Sequence, residues 1–163
     1  MAHCDSAGPC VLTMSIQLKI ITPERTVYDD NVDEVTMPTP QGEITILPHH
    51  IPLVTMLSTG VMTLRKSGVA TYMASTGGFA EVLRDSKVRI LADTADRAEE
   101  LVTEEVERAR ERAAKMLAER RTDDVEGHAA ALGALERELA RLRAVRKRAS
   151  AHHTRLSHPE TDT

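Results

Sequence analysis

Two hydropathy periods, one after the other along the chain, predict an α+β protein: a small, mainly β domain followed by a pair of helices. Three observations carry this. Over residues 14–92 apolar and polar residues alternate, as where Ile16, Leu18 and Ile20 are set against Gln17 and Lys19, and that alternation gives a strand one buried and one wet face. Turn-forming residues punctuate the alternating runs. Beyond Asp93 the apolar spacing switches to three and four, the period of a helix.

Residues 1–13 carry neither a basic n-region nor an apolar h-region, so they predict a disordered extension ahead of the fold, with Met14 as a natural beginning. Both cysteines, Cys4 and Cys10, fall there; with His3 and Asp5 they make an incomplete zinc set, since such sites usually need four ligands. A redox or disulfide role is the other use open to them.

The β domain, residues 14–92, offers strand candidates at the start and at 32–37, 44–47, 61–65, 69–74, 79–83 and 87–91. Between them stand Pro38-Thr-Pro-Gln-Gly42, Ser58-Thr-Gly60, Lys66-Ser-Gly68, the Gly77-Gly78 pair and Arg84-Asp-Ser86. Many short strands at this spacing imply an antiparallel sandwich or barrel. The core is expected to be aliphatic, because Tyr28, Tyr72 and Phe79 are the three aromatic residues and there is no Trp.

Residues 93–150 predict a helical hairpin. Asp93 or Thr94 can cap its first helix, with Asp96 as a favourable first-turn acid. Val102, Val106, Ala109, Ala113 and Met116 then form one apolar stripe, and Leu132, Leu135, Leu139 and Leu142 a second after the break at Arg121-Thr-Asp-Asp-Val-Glu-Gly127. So short a connection makes the helices antiparallel neighbours. Gly127 and Gly133 weaken the second helix, by about 1 kcal/mol each relative to Ala in its interior. Single stripes are hidden chiefly against each other, which leaves little apolar surface to fasten the hairpin to the sandwich and makes it detachable. Residues 151–163 are polar and patternless; despite their histidines they predict a frayed tail.

The chain has 163 residues, 21 Lys and Arg against 25 Asp and Glu, and a formal charge of −4. Charge divides the hairpin. Residues 93–127 hold seven basic and twelve acidic side chains, whereas residues 128–150 hold six basic and two acidic ones. Complementary solvated faces explain this, and so does a basic second helix that meets an acidic partner; the two are compatible. Overall acidity and the scarcity of aromatics argue against nucleic acid. No apolar run approaches the roughly 18 residues that a membrane span needs.

Catalytic patterns are missing from the sequence. The eight glycines do not build a phosphate-cradling loop ending in Lys-Ser/Thr. His49 and His50 lie in a proline-flanked loop with no nucleophile-elbow motif nearby. Asp29-Asp30 and Asp33-Glu34 are adjacent pairs that point to opposite faces of a strand. Glu99-Glu100 and Glu104-Glu105 read as a solvated helix face, and Gly77-Gly78 as a hairpin turn. These residues by themselves describe a β domain with a detachable charged hairpin, a part for protein interaction.

The run Gly42-Glu-Ile-Thr-Ile-Leu-Pro-His-His50-Ile-Pro-Leu-Val-Thr, with Asp33-Glu-Val upstream, resembles the epsilon subunit of F-type ATP synthases. Ser75-Thr-Gly-Gly-Phe79 and Leu91-Ala-Asp-Thr-Ala95 match further stretches of that family, and the likeness covers residues 14–148 in one register. The resemblance implies a flattened β-sandwich of about ten strands, then two antiparallel helices. It also implies a non-catalytic rotor subunit that contacts a gamma subunit and a c-subunit ring. Its mobile helices would reach a catalytic beta subunit when extended and restrain ATP hydrolysis.

For single residues, the resemblance implies that Gly42, Glu43 and His50 face the c ring. Arg137, Arg141, Arg143, Arg146 and Lys147 would form the basic inhibitory face. Some bacterial members bind ATP through Ile/Leu-Asp-x-x-Arg-Ala; here Val102 stands for the Asp and Glu105 for the Arg, so no cofactor is expected. No metal is expected either. Membrane association would be indirect, at the cytoplasmic side of the cell membrane. A free-standing coiled-coil adaptor is the alternative, with a nucleotide-sensing module or a hydrolase behind it.

Overall fold

The computed structural model describes residues 15–119 and 125–157. Cys4, Cys10 and Met14, residues 121–124 of the expected break and the last six residues lie outside these, while Val125, Glu126 and Gly127 of that break belong to the second helix. The ten strands are β1 (Ile16–Ile21), β2 (Thr26–Val32), β3 (Glu34–Thr39), β4 (Gly42–Ile46), β5 (Leu53–Met56), β6 (Gly60–Lys66), β7 (Val69–Thr76), β8 (Phe79–Leu83), β9 (Lys87–Leu91) and β10 (Thr94–Arg97). They form two five-stranded sheets, β2-β1-β9-β8-β5 and β10-β7-β6-β3-β4. All pairings are antiparallel except β1 beside β9.

The core between the sheets is aliphatic, as the composition requires. Ile16, Leu18 and Ile20 of β1 cluster with Met62, Leu64 and Met73 of the opposite sheet, all essentially inaccessible. Each such side chain contributes roughly 1.5–3 kcal/mol on burial.

Four strands, β2, β3, β5 and β10, differ from the expected set. The candidate at 32–37 is a corner: Val32 ends β2 in one sheet, Asp33 turns the chain, and Glu34 starts β3 in the other. Asp33 holds that corner, its N–H donating to Arg65 O and its Oδ2 accepting from the Ser67 N–H. β2 itself was hidden by Asp29-Asp30-Asn31, poor strand formers that an exposed edge tolerates. β5 is also an edge strand, with a half-exposed pattern. Pro38 belongs to β3 rather than to a turn; pairing with β6 stops at Thr36, before its missing N–H could break the ladder.

Thr94, expected as a helix cap, instead starts β10, which pairs with β7. The first helix, α1, runs Thr103–Glu119, with Glu104 and Glu105 favourably placed in its first turn. The second, α2, runs Val125–Ser157, past the end expected near Ser150. Gly77 and Gly78 do not close a hairpin either; they carry the chain from β7 in one sheet to β8 in the other.

Candidate functional site

The hairpin meets the sandwich along α2, which lies on β7 and β6. Its contact face is made of alanines: Ala140 and Ala144 are buried against Val61, Ala74, Ala98 and the half-buried Tyr72. Counting leucines concealed this face. The leucine stripe is shallower than expected, with Leu142 buried but Leu132 exposed; in the first stripe, Val106 and Ala113 of α1 are buried while Val102, just before the helix, and Met116 are exposed. Methyl groups bury little area each, so the seam is worth a few kcal/mol at most. Thr63, on the same face of β6 as Val61, has its hydroxyl buried without a hydrogen-bond partner. That weakens the docked arrangement further.

Polar contacts at the seam come from the basic residues of α2. Arg141 Nε donates to Asp96 Oδ2 at 2.9 Å and Nη1 to Glu138 Oε1 at 2.8 Å. Its side chain is 27% exposed, against 30% for Asp96 and 12% for Glu138. Burial alone would push the Arg141 guanidinium down, but the hydrogen bonds and charges of Asp96 and Glu138 outweigh it and hold it above its ordinary value. Lys147 Nζ stands 5.9 Å from the centre of the Tyr72 ring, and Arg148 Nη1 donates to Ala98 O at 3.3 Å.

Arg137, Arg143 and Arg146 are exposed. The five expected basic residues therefore do not share one free face: Arg141 is half-buried against the sandwich, Lys147 is exposed but lies over Tyr72, and the other three are turned to solvent. Asp96 was the partner missed. It looked like a first-turn acid, and its place on β10 opposite Ala74 puts its carboxylate on the face that α2 covers.

Between α1, α2 and the segment after β10 lies a cleft of about 470 Å³, lined among others by Glu100, Glu105, Glu138, Arg108, Arg112 and Arg141. Three carboxylates face three guanidiniums there, so the lining is close to neutral. Val102 and Glu105 do reach this cleft, where they present an isopropyl group and a carboxylate. Among the described residues no cluster of His, Cys, Asp and Glu is arranged to hold a metal ion.

Gly42 and Glu43 open β4 at the tip of its hairpin with β3. Thr39 Oγ1 donates to Gly42 O at 2.6 Å, and Gly42 has a φ of 122°, which only glycine adopts readily. Glu43 is exposed opposite Pro38. His50 lies beyond the other end of β4. Its N–H donates to Leu47 O, and its Nδ1, 2.8 Å from Ile51 O, carries the proton because a carbonyl can only accept. The neighbouring His49 N–H donates to Ser86 Oγ at 2.9 Å. β4 thus separates Glu43 from His50.

A second surface was missed because outward positions of strands read as merely wet. Met56, Phe79 and Leu91 are direct cross-strand partners on β5, β8 and β9, and all three are about half exposed. They border a cleft of about 420 Å³ that Ile21 and Pro23 also line. Val54 and Ile51 extend the exposed apolar surface nearby. Such a contiguous patch marks an interaction site.

Residues 15–98 match the family described as ATP synthase, Delta/Epsilon chain, beta-sandwich domain. The ATP synthase epsilon chain of Nitratidesulfovibrio vulgaris (strain DP4) is 39% identical over 129 residues, which span 79% of this chain and 94% of that one. The epsilon chain of Herpetosiphon aurantiacus is 43% identical over 136 residues, 83% of this chain and 97% of its own. Among solved structures, a chain of the Euglena gracilis mitochondrial ATP synthase OSCP/F1/c-ring assembly is similar at a TM-score of 0.67. It shares 23% identity and covers 92% of this chain and 90% of its own. A chain of the Tetrahymena thermophila mitochondrial ATP synthase central stalk and c-ring gives a TM-score of 0.54 at 18% identity, covering 83% of this chain and 96% of its own. At such identities these two likenesses concern the fold alone.

Proposed function

The chain belongs to the ATP synthase delta/epsilon family as an epsilon chain, a rotor subunit of that membrane-associated complex, and from this premise we propose how it works. The sandwich is the fixed part, seated on the gamma subunit and the c ring. The α1–α2 hairpin is the moving part, which restrains ATP hydrolysis when it leaves the sandwich for a catalytic beta subunit. The chain supplies no catalytic group of its own.

The observation that carries this reading is the seam under α2: a few alanines, one buried hydroxyl without a partner, and the Arg141–Asp96 ion pair, which water or another acid can replace. A small polar internal interface favours relative motion. Once released, Arg141 and Lys147 would join Arg137, Arg143 and Arg146 as a cationic surface for an acidic segment of the beta subunit.

The row Met56, Phe79 and Leu91 supplies apolar surface of the kind that gamma docking needs. Gly42 and Glu43, at a projecting turn, are the proposed c-ring contact, with His50 as a second point beyond β4. Attachment through these partners, on the cytoplasmic side, belongs to the same proposal; no helix among the described residues is long and apolar enough to cross a membrane. Full-length likeness to epsilon chains disfavours a free-standing adaptor.

Reconstitution tests the reading. Catalytic subunits and gamma are assembled with the full chain or with a chain ending at Ala98, and ATP hydrolysis is compared. Both chains should bind, and the shortened one should leave hydrolysis faster; equal rates would refute the regulatory role.

A further inference from the structure

We infer that Asp96 is the positioning residue that keeps the hairpin docked. It does so by occupying the Arg141 guanidinium that a released α2 would otherwise offer to an acidic partner; this last clause rests on the function proposed above.

The two carboxylates on Arg141 are not equivalent. Glu138 lies three residues away on the same helix and travels with Arg141 wherever α2 goes. Asp96 belongs to β10, whose backbone is paired with β7 from Thr94 to Arg97, so it stays with the sheet. The Nε–Oδ2 bond is therefore a charge-assisted contact across the seam that breaks on release, whereas the Nη1–Oε1 bond survives.

β10 is itself firmly held. Thr94 Oγ1 and Thr76 Oγ1 are 2.7 Å apart, and Arg97, on the opposite face of the strand, donates to Val27 O at 3.0 Å and lies over the Tyr28 ring. Asp96 is thus a fixed acid aimed at a mobile base. It stands at the same place that an acidic segment of another protein would have to compete for. Two other polar contacts between α2 and the sandwich, Lys147 with Tyr72 and Arg148 with Ala98 O, are longer and lack an opposite formal charge. Releasing the hairpin therefore exchanges one carboxylate on Arg141 for another, and the strength of the internal one sets how readily an external one wins.

Hydrogen exchange on the full chain tests this, with Asp96→Asn and the conservative Asp96→Glu beside the unaltered protein. In Asp96→Asn the amides of α2 around Arg141 should exchange about fivefold faster, as expected for loss of a partly buried pair. Amides of β1, β6 and β9 should not change. Asp96→Glu should retain most of the protection. Raising salt should speed α2 exchange in the unaltered protein and have little effect in Asp96→Asn. Unchanged α2 exchange in Asp96→Asn, or an equal salt response in the two, overturns the inference whatever happens in the complex.

The same variants are then assembled with catalytic subunits. Asp96→Asn should inhibit hydrolysis more strongly than the unaltered chain. If α2 loosens but neither chain inhibits, the positioning role of Asp96 holds and the regulatory function fails. If the unaltered chain inhibits and Asp96→Asn inhibits no better, competition for Arg141 is overturned.

Discussion

Gly78 lies against the Leu91 carbonyl so closely that a β-carbon on it would overlap the oxygen, and Ala92 Cα closes the same space. Its φ of 108° is in any case a glycine conformation. This is the crossing between the sheets, where the Gly78 carbonyl also accepts from the Leu57 N–H. Substitution with alanine meets both overlap and backbone strain. Gly78→Ala should cost about 3 kcal/mol or more, read as a lower midpoint in urea. A midpoint within experimental error of the original would show that the crossing can relax.

The position of β10 makes a sharp prediction about truncation. A chain ending at Ala98 keeps all ten strands and should unfold cooperatively. A chain ending at Asp93 loses β10, its ladder with β7 and the Arg97 contacts with Val27 and Tyr28. It also leaves an unpaired β7 edge, which invites association. The shorter chain should melt at a distinctly lower temperature and aggregate sooner. Equal stability of the two would deny β10 a structural role.

Asp30 on β2 and Lys66 on β6 connect the two sheets across an exposed edge. The hydrogen bond from Lys66, helped by the Asn31 N–H, holds the Asp30 carboxyl below its ordinary range, and the same bond raises the Lys66 ammonium. A lowered folded-state value means that Asp30 stabilises the fold above the ordinary aspartate value of about 3.9, and that this is lost as pH falls through the lowered one. The Lys66 contribution runs oppositely: present below the ordinary lysine value, lost as pH rises through the raised one. Carbon-detected titration should find the Asp30 midpoint depressed and Lys66→Met should return it upward. A midpoint indifferent to Lys66→Met would remove the pairing.

Arg143 and Arg146 face solvent while α2 is docked, so reversing them should alter stability by no more than about 0.5 kcal/mol. Arg143→Glu with Arg146→Glu should nevertheless weaken inhibition in the assembled enzyme, since a like charge would then face the acidic partner. Unchanged inhibition with unchanged folding would exclude these two residues from the contact.

Val102 and Glu105 put an aliphatic group and a negative charge into the cleft between the helices. Calorimetric titration of the full chain with millimolar ATP should give no saturable heat. A clear binding isotherm would mean that Arg108, Arg112 and Arg141 compensate for both departures.

Legibility differed by element. β1 could be read because Ile16, Leu18 and Ile20 alternate with polar residues and all three enter the core; β2 could not, because an edge strand buries one face poorly and asks little of Asp29, Asp30 and Asn31. The 32–37 run looked like one strand since Val32, Val35 and Met37 are all buried. A corner buries residues from both sheets without keeping a period, so hydropathy does not mark it. The basic side chains of α2 were visible, while their sorting into docked and free sets was not.

Order of periods, an aliphatic core, the turns at Gly42 and Gly68 and the charge division of the hairpin were determined by local chemistry, because each depends on residues near one another along the chain. The assignment of strands to two sheets, the alanine face of α2, the exposed row from Met56 to Leu91 and the meeting of Arg141 with Asp96 were decided by tertiary structure. Asp96 and Arg141 are 45 residues apart, and nothing in the character of either names the other. Their pairing follows from where β10 joins the sheet and how α2 crosses it, and that geometry is set by the packing of the whole.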